Sequence, residues 1–357
     1  MKNFLKITLT MLLIFNVSCS VEESEEVEPN AVLARKGRKG YTSSKVGSNT
    51  DVVTSPTGGV CLMGGASEDD NAMKWFLNRA DGGDILVLRA SGTNGYNNYF
   101  YSDLGVTVNS VETIIFSNSS ASTDPYVIDR INKAEAIWFA GGDQWDYISF
   151  WRNTPVSTAI NNGINNRNIV VGGTSAGMAI QGKYYYTAEN GSVTSSEALY
   201  NPYDSYVTIG SAPFIDNDYL TDVITDTHYD NPDRKGRHVT FLARIVKDYG
   251  IRAKGIACDE YTAVCINGSG IAKIYGGHPN YDDNAYFIQP NPANSNYGPE
   301  VCNSNNSLDW YRNKQALKVY AVKGTSDGSK TFNLNNWSSG SGGQWEYWYV
   351  DQGVLVD

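Results

Sequence analysis

Cysteine, histidine and basic charge are all in short supply in this chain. Five cysteines in 357 residues, none in C-x-x-C spacing, exclude a zinc ribbon, a dithiol redox motif and a dense disulfide framework. Beyond Cys19 there remain Cys61, Cys258, Cys265 and Cys302, which permit three pairings; buried thiols are the default expectation. Only three histidines, His228, His238 and His278, are available to any chemistry that needs an imidazole. Lys and Arg number 28 against 38 Asp and Glu, a net charge of -10 with no long basic run. That balance excludes nucleic acid as a partner, because phosphate neutralisation needs clustered cations. The apolar stretch Ile7 to Val17 is too short to span a bilayer.

What is present begins with a targeting pattern. Lys2 and Lys6 precede that apolar stretch, and Ser18-Cys19 stands where a lipoprotein signal is cut and its cysteine acylated. The cluster Glu22-Glu23-Ser24-Glu25-Glu26 resembles the export tag of some surface lipoproteins of Gram-negative bacteria. We therefore expect a signal peptide over 1–18, an exported protein anchored to the cell envelope through Cys19, and a flexible tether over 19–55. From there short apolar runs alternate with helical stretches: Gly59 to Met63, Asp84 to Leu88, Val111 to Phe116, Ala136 to Ala140 and Asn168 to Val171. They are continuously apolar, as strands buried on both faces of a parallel sheet are. The pattern predicts an α/β fold, a doubly wound and mostly parallel sheet, over 56–290. A β-rich C-terminal extension, 291–357, is expected to complete it. In such sheets sites form beyond the carboxyl ends of strands, where the Gly-rich loops after Met63, Ala140 and Val171 fall.

The last of those loops carries the strongest chemical signal. Gly173-Thr174-Ser175-Ala176-Gly177 matches a nucleophile elbow, a sharp strand-to-helix turn that exposes a serine and tolerates only small neighbours. The N–H of Ala176 would stand at a helix start, suited to an oxyanion. A serine needs a base. His228, in Asp226-Thr227-His228-Tyr229, follows the apolar Val223-Ile224; His238 falls in a helix and His278 in a turn. An acid must orient the base. Glu197 lies between serine and histidine in the chain; Asp226 and the pair Asp259-Glu260 are its rivals, and spacing does not rank them.

Several strings occur together in one order: Gly58-Gly59-Val60 with Met63-Gly64-Gly65, Leu88-Arg89-Ala90-Ser91-Gly92, Phe139-Ala140-Gly141-Gly142-Asp143-Gln144, and Gly172 to Gly177. Asp226-x-His228-Tyr229, Arg234-x-Gly236-Arg237 and Gly255-Ile256-x-x-Asp259-Glu260-x-Thr262-Ala263 follow. From Gly58 to Gly277 the chain resembles the cyanophycinase and dipeptidase E family of serine peptidases. The resemblance implies a fold like class I glutamine amidotransferases, with Ser175 as nucleophile, His228 as base and Glu197 as orienting acid. It implies oxyanion donors at Ala176 and Gly142, substrate contacts from Gln144, and no metal or other cofactor. Family members cut beside aspartyl residues, and Arg234 and Arg237 are the guanidinium forks available for a carboxylate. The expected substrate is an aspartyl or isoaspartyl peptide of β-Asp-Arg type, and a second copy of the chain is an expected partner. Cyanophycinases usually carry Gln before the histidine and a further Arg soon after; Thr227 and Pro232 stand there, which favours a related acidic or isoaspartyl peptide. Two other readings compete: an esterase of α/β-hydrolase type, whose histidine should fall late in the chain, and a catalytically silent surface lipoprotein that binds peptides or glycans.

Overall fold

The computed structural model describes residues 35–38, 40–211 and 214–357; the signal segment, Cys19 and the acidic cluster lie outside them. The strands, in chain order, are β1 (Arg35–Arg38), β2 (Tyr41–Gly47), β3 (Gly59–Met63), β4 (Asp84–Arg89), β5 (Ser110–Phe116), β6 (Ala136–Phe139) and β7 (Val170–Thr174). Then come the short pair β8 (Tyr185–Tyr186) and β9 (Ile209–Gly210), followed by β10 (Val223–Asp226), β11 (Lys254–Cys258), β12 (Ala263–Ile266) and β13 (Ile271–Tyr275). The last are β14 (Asn284–Pro290), β15 (Leu317–Lys323), β16 (Lys330–Asn333), β17 (Gly340–Ser341), β18 (Gln344–Asp351) and β19 (Val354–Val356).

Five strands run parallel, in the order β5-β4-β6-β7-β3, at the centre of an eleven-stranded sheet. Every residue of β6 and β7 is buried, which is why their sequences are apolar or small without alternation. The helix Asp70–Asn78 covers one face with Ala72, Met73, Phe76 and Leu77, a one-sided spacing, against Cys61, Val87 and Trp138. The helices Pro125–Lys133, Gln144–Trp151 and Pro155–Arg167 cover the other with Val127, Ile131, Ile148, Trp151 and Ile160. Each large apolar side chain buried this way stabilises the fold by about 1.5–3 kcal/mol. Asp69, Asp124, Asp143 and Thr154 cap these four helices through their side chains. The fold is α/β with a parallel centre, as the apolar runs predict. The first of these helices starts at Asp70, because the Asp69 carboxylate accepts from the N–H groups of Asn71 and Ala72.

A second sheet, β10-β11-β14-β15-β18-β19, begins with one parallel pair, β10 and β11, and continues antiparallel. Residues beyond 291 extend both sheets: β15 pairs along β14, and β16 along β13. One expectation fails here. Residues 41–47, read as tether, form β2, paired with β5 over seven positions. Strand β2 lies between β1 and β5 and is held by backbone pairing to both, so Thr42, Ser43, Ser44 and Lys45, only partly sheltered from solvent, serve without an apolar period.

Candidate active site

Strand β7 leads directly into Ser175, whose φ of 51° and ψ of -117° lie in a region that residues with a Cβ avoid. Its neighbours hold it there. The Ser175 N–H donates to Met63 O at 3.1 Å, and Ser175 O accepts from Ala179 N–H at 2.9 Å. Gly177 has to be glycine, since a Cβ there would sit 2.0 Å from Phe139 O. The serine hydroxyl is thus fixed at the carboxyl edge of the parallel sheet by strain that the surrounding turn over-determines.

The two partners of Ser175 come from the other sheet. His228 follows β10 and Glu260 follows β11; because these strands are parallel and adjacent, both loops emerge at the same end. His228 Nε2 lies 2.8 Å from Ser175 Oγ. Its Nδ1 lies 2.6 Å from Glu260 Oε1. The loop after β3 ties the two sheets together at this point: His228 N–H donates to Gly64 O at 2.8 Å, and Tyr261 N–H donates to Gly65 O at 3.1 Å. Gly65, at φ 126°, lies so close beneath the imidazole that a Cβ would approach Nε2 to 2.3 Å. Glu260 is positioned further by Asn231, whose amide donates to Oε2 at 3.3 Å, and by Asp230, which accepts its backbone N–H at 2.8 Å. Burial raises the Glu260 pKa, but the hydrogen bonds from His228 and Asn231 outweigh it and hold the carboxyl below its usual range. Glu260 therefore faces the imidazole as a carboxylate.

Glu197 is elsewhere. It is the third residue of the helix Ser195–Tyr200, and its carboxylate accepts from Thr194 N–H at 2.9 Å and Thr194 Oγ1 at 2.7 Å. Thr194-x-x-Glu197 is a capping box, so this acid is spent on a helix end and makes no contact with His228. Asp226 is likewise spent: it is buried and takes the Arg237 guanidinium in a two-point pair. Of the acids open on sequence, only Glu260 reaches the imidazole. The signal that could have found it was in the chain, since the capping-box spacing already employs Glu197. His238 is fully buried, with Nδ1 3.3 Å from Tyr229 Oη and Nε2 3.3 Å from Ile224 O, and burial pushes its pKa down to about 4. His278 lies in the turn before Pro279, its N–H donating to Gly324 O.

A cleft of about 370 Å³ opens beside Ser175, walled by Gly142, Gln144, Ala176, Tyr186, Arg234 and Arg237. Arg234 is half-buried; its Nη1 donates to Thr227 O at 3.0 Å, and no carboxylate among the described residues pairs with it. Burial, and then the neighbouring Arg237, lower its pKa from the ordinary arginine value. The two arginines therefore differ: Arg237 has its fork filled by Asp226, and Arg234 keeps donors for a ligand. The Gly141-Gly142 loop is pinned from beneath by Tyr147, whose hydroxyl lies 2.9 Å from both Ala140 O and Gly141 O. All four remaining cysteines are buried free thiols; Cys61 and Cys265 face each other across β3 and β12 with sulfurs 3.5 Å apart.

Asp259, next to Glu260, is buried and accepts the Asn284 N–H at 2.7 Å. Burial pushes its pKa up to about 7. The unfolded chain releases this proton near about 4. Folding thus retains a proton between those values, so the contribution to stability is complete below about 4 and is lost as pH rises through 7. Asp259→Asn should flatten the dependence of the unfolding midpoint on pH between these limits, measured by thermal denaturation in matched buffers. An unchanged slope would refute the shift.

A family model described as peptidase family S51 matches residues 93–274, just over half of the chain. A cyanophycinase of Geminocystis herdmanii is 28% identical over 154 residues, covering 42% of this chain and 52% of that protein. A cyanophycinase of Thermosynechococcus vestitus is 25% identical over 227 residues, covering 61% of this chain and 65% of its own. The chain thus spans between about half and two thirds of the length of these relatives. Among solved structures, a peptidase from an acI-B1 Actinobacterium aligns at 14% identity with a TM-score of 0.46, over 62% of this chain and 89% of its own.

Proposed function

Given that the chain belongs to peptidase family S51, we propose that it is a serine exopeptidase acting on aspartyl or isoaspartyl peptides through Ser175, His228 and Glu260. The observation that carries this reading is the unbroken line of hydrogen bonds from Glu260 through His228 to Ser175, at 2.6 and 2.8 Å, opening on a cleft that presents Arg234. His228 takes the Ser175 hydroxyl proton at Nε2 as Oγ attacks the scissile carbonyl. The Glu260 carboxylate holds the Nδ1–H tautomer and stabilises the imidazolium that forms. The Ala176 and Gly142 N–H groups, on either side of the serine, are the donors for the oxyanion, and Tyr147 keeps the second of them in place. His228 then returns its proton to the leaving amine, and water repeats the sequence on the acyl-enzyme.

Substrate selection rests on Arg234. A guanidinium half-withdrawn from water and without a carboxylate partner binds a substrate carboxylate more strongly than an exposed one. Gln144 adds an amide to the wall of the same cleft. The test is hydrolysis of β-Asp-Arg dipeptide, polymeric cyanophycin, α-Asp dipeptides and a simple ester by the protein and by Arg234→Gln. We expect cleavage of an aspartyl substrate with kcat/KM lowered about 10–100-fold in Arg234→Gln, the size of a lost charge-assisted hydrogen bond. Ester turnover should barely change. Cleavage of the ester alone, or equal loss on both substrates, would overturn the aspartyl assignment.

A further inference from the structure

A second cavity, of about 460 Å³, lies among Arg252, Lys254, Gln289, Asn335, Asn336 and Trp337. Lys254 opens β11, whose other end leads into Glu260. Six steps of extended chain, roughly 20 Å, therefore separate this cavity from the catalytic acid. Gln289 and Asn335 to Trp337 lie beyond residue 274, outside the stretch matched by the peptidase family.

Its charge sets it apart. In a chain of net charge -10, two cations converge on a cavity with no Asp or Glu in its wall. The catalytic cleft, by contrast, is lined by Asp143 and Asp226, and the clefts beside Tyr275 and Tyr99 by Asp327 and Asp70. Neither Arg252 nor Lys254 makes an ion pair with a carboxylate among the described residues. Both are held in place by neutral groups. Arg252 stacks on Tyr297 at 4.0 Å and donates Nη2–H to Asn294 O at 2.8 Å. Lys254 Nζ stands over the Trp337 ring at 5.3 Å. Fixing two side chains without neutralising them leaves a positive field at little entropic cost to a ligand.

The amides narrow the ligand further. Gln289 donates its Nε2–H to Trp337 O at 2.5 Å, and Asn335 donates its amide to Ser269 O at 2.8 Å. Both Asn335 amide hydrogens are engaged, by Ser269 O and Asn333 Oδ1, and one of those of Gln289 by Trp337 O; the amide oxygen of each accepts no hydrogen bond among the described residues and is left to accept from a bound molecule. A bare anion satisfies the cations but not these acceptors; an anion bearing hydroxyl groups satisfies both. We propose that this cavity is a binding site for a small hydroxylated anion, a sugar acid or a sugar phosphate, separate from the catalytic cleft.

The test is calorimetric titration of the protein, at constant ionic strength, with D-glucuronate, glucose 6-phosphate and glucose, beside the double variant Arg252→Gln/Lys254→Gln. The proposal expects at least one charged sugar to bind ten times more tightly than glucose, and the double variant to lose tenfold or more of that affinity. Which of the two binds identifies the anionic group. Unchanged unfolding midpoints check that the variant is folded; if it is not, Lys254→Gln alone should weaken binding at least fivefold. No binding of either anion, glucose binding as tightly, or affinity retained in the folded variants would overturn the proposal.

Discussion

Ser175→Ala is expected to lower kcat by roughly 10⁴–10⁶-fold while leaving the protein folded, the largest effect of any single change in the molecule. The substitution keeps the Cβ, so the backbone at φ 51° is no more strained in alanine than in serine. The contacts that hold the turn are backbone contacts, from Ser175 N–H to Met63 O and from Ala179 N–H to Ser175 O, and both survive. What disappears is the Oγ at 2.8 Å from His228 Nε2, and with it the nucleophile. The measurement is turnover of a cleaved aspartyl peptide by both forms, with circular dichroism to establish the fold. Retained turnover in the folded alanine form would remove Ser175 from the mechanism.

The second large effect separates two glutamates that the sequence left in competition. Glu260→Gln should lower kcat by about 10²–10⁴-fold. The amide fills the same volume, but it carries no charge to stabilise an imidazolium, and its NH₂ end can present a donor to Nδ1 and favour the wrong tautomer. Glu197→Gln should leave kcat within about twofold, because glutamine also serves the third position of a capping box and the side chain touches nothing in the cleft. The Ser175→Ala form supplies the floor for both. If the larger fall came from Glu197→Gln, the 2.6 Å contact between Glu260 and His228 would be a structural ion pair and the triad would need another acid.

The parallel centre of the fold was legible because each strand buries both faces. Ala136 to Phe139 and Val170 to Thr174 must then be apolar or small throughout, and that is written locally. The strained turn around Ser175 was legible for a similar reason: an elbow needs Gly-x-Ser-x-Gly within five consecutive residues, as the Gly177 contact with Phe139 makes plain. Other elements were not. Strand β2 carries no apolar period, since it is held by backbone hydrogen bonds to β5, to which any sequence without proline contributes.

By itself, then, the chain determined the α/β centre, the serine in its strained turn and the histidine available to serve it, all set by residues close together in sequence. Only the tertiary structure decided which carboxylate meets the imidazole and which arginine is left without a carboxylate partner among the described residues. Glu260 reaches His228 because β10 and β11 run parallel side by side and the loop after β3 clasps both ends, a contact between residues 32 apart in sequence. Arg234 is left for a ligand because Asp226 folds onto Arg237. Asp226, Glu197 and Glu260 are all carboxylates of similar chemistry; which of them meets the imidazole depends on where the backbone carries each one and on which partner has already claimed it.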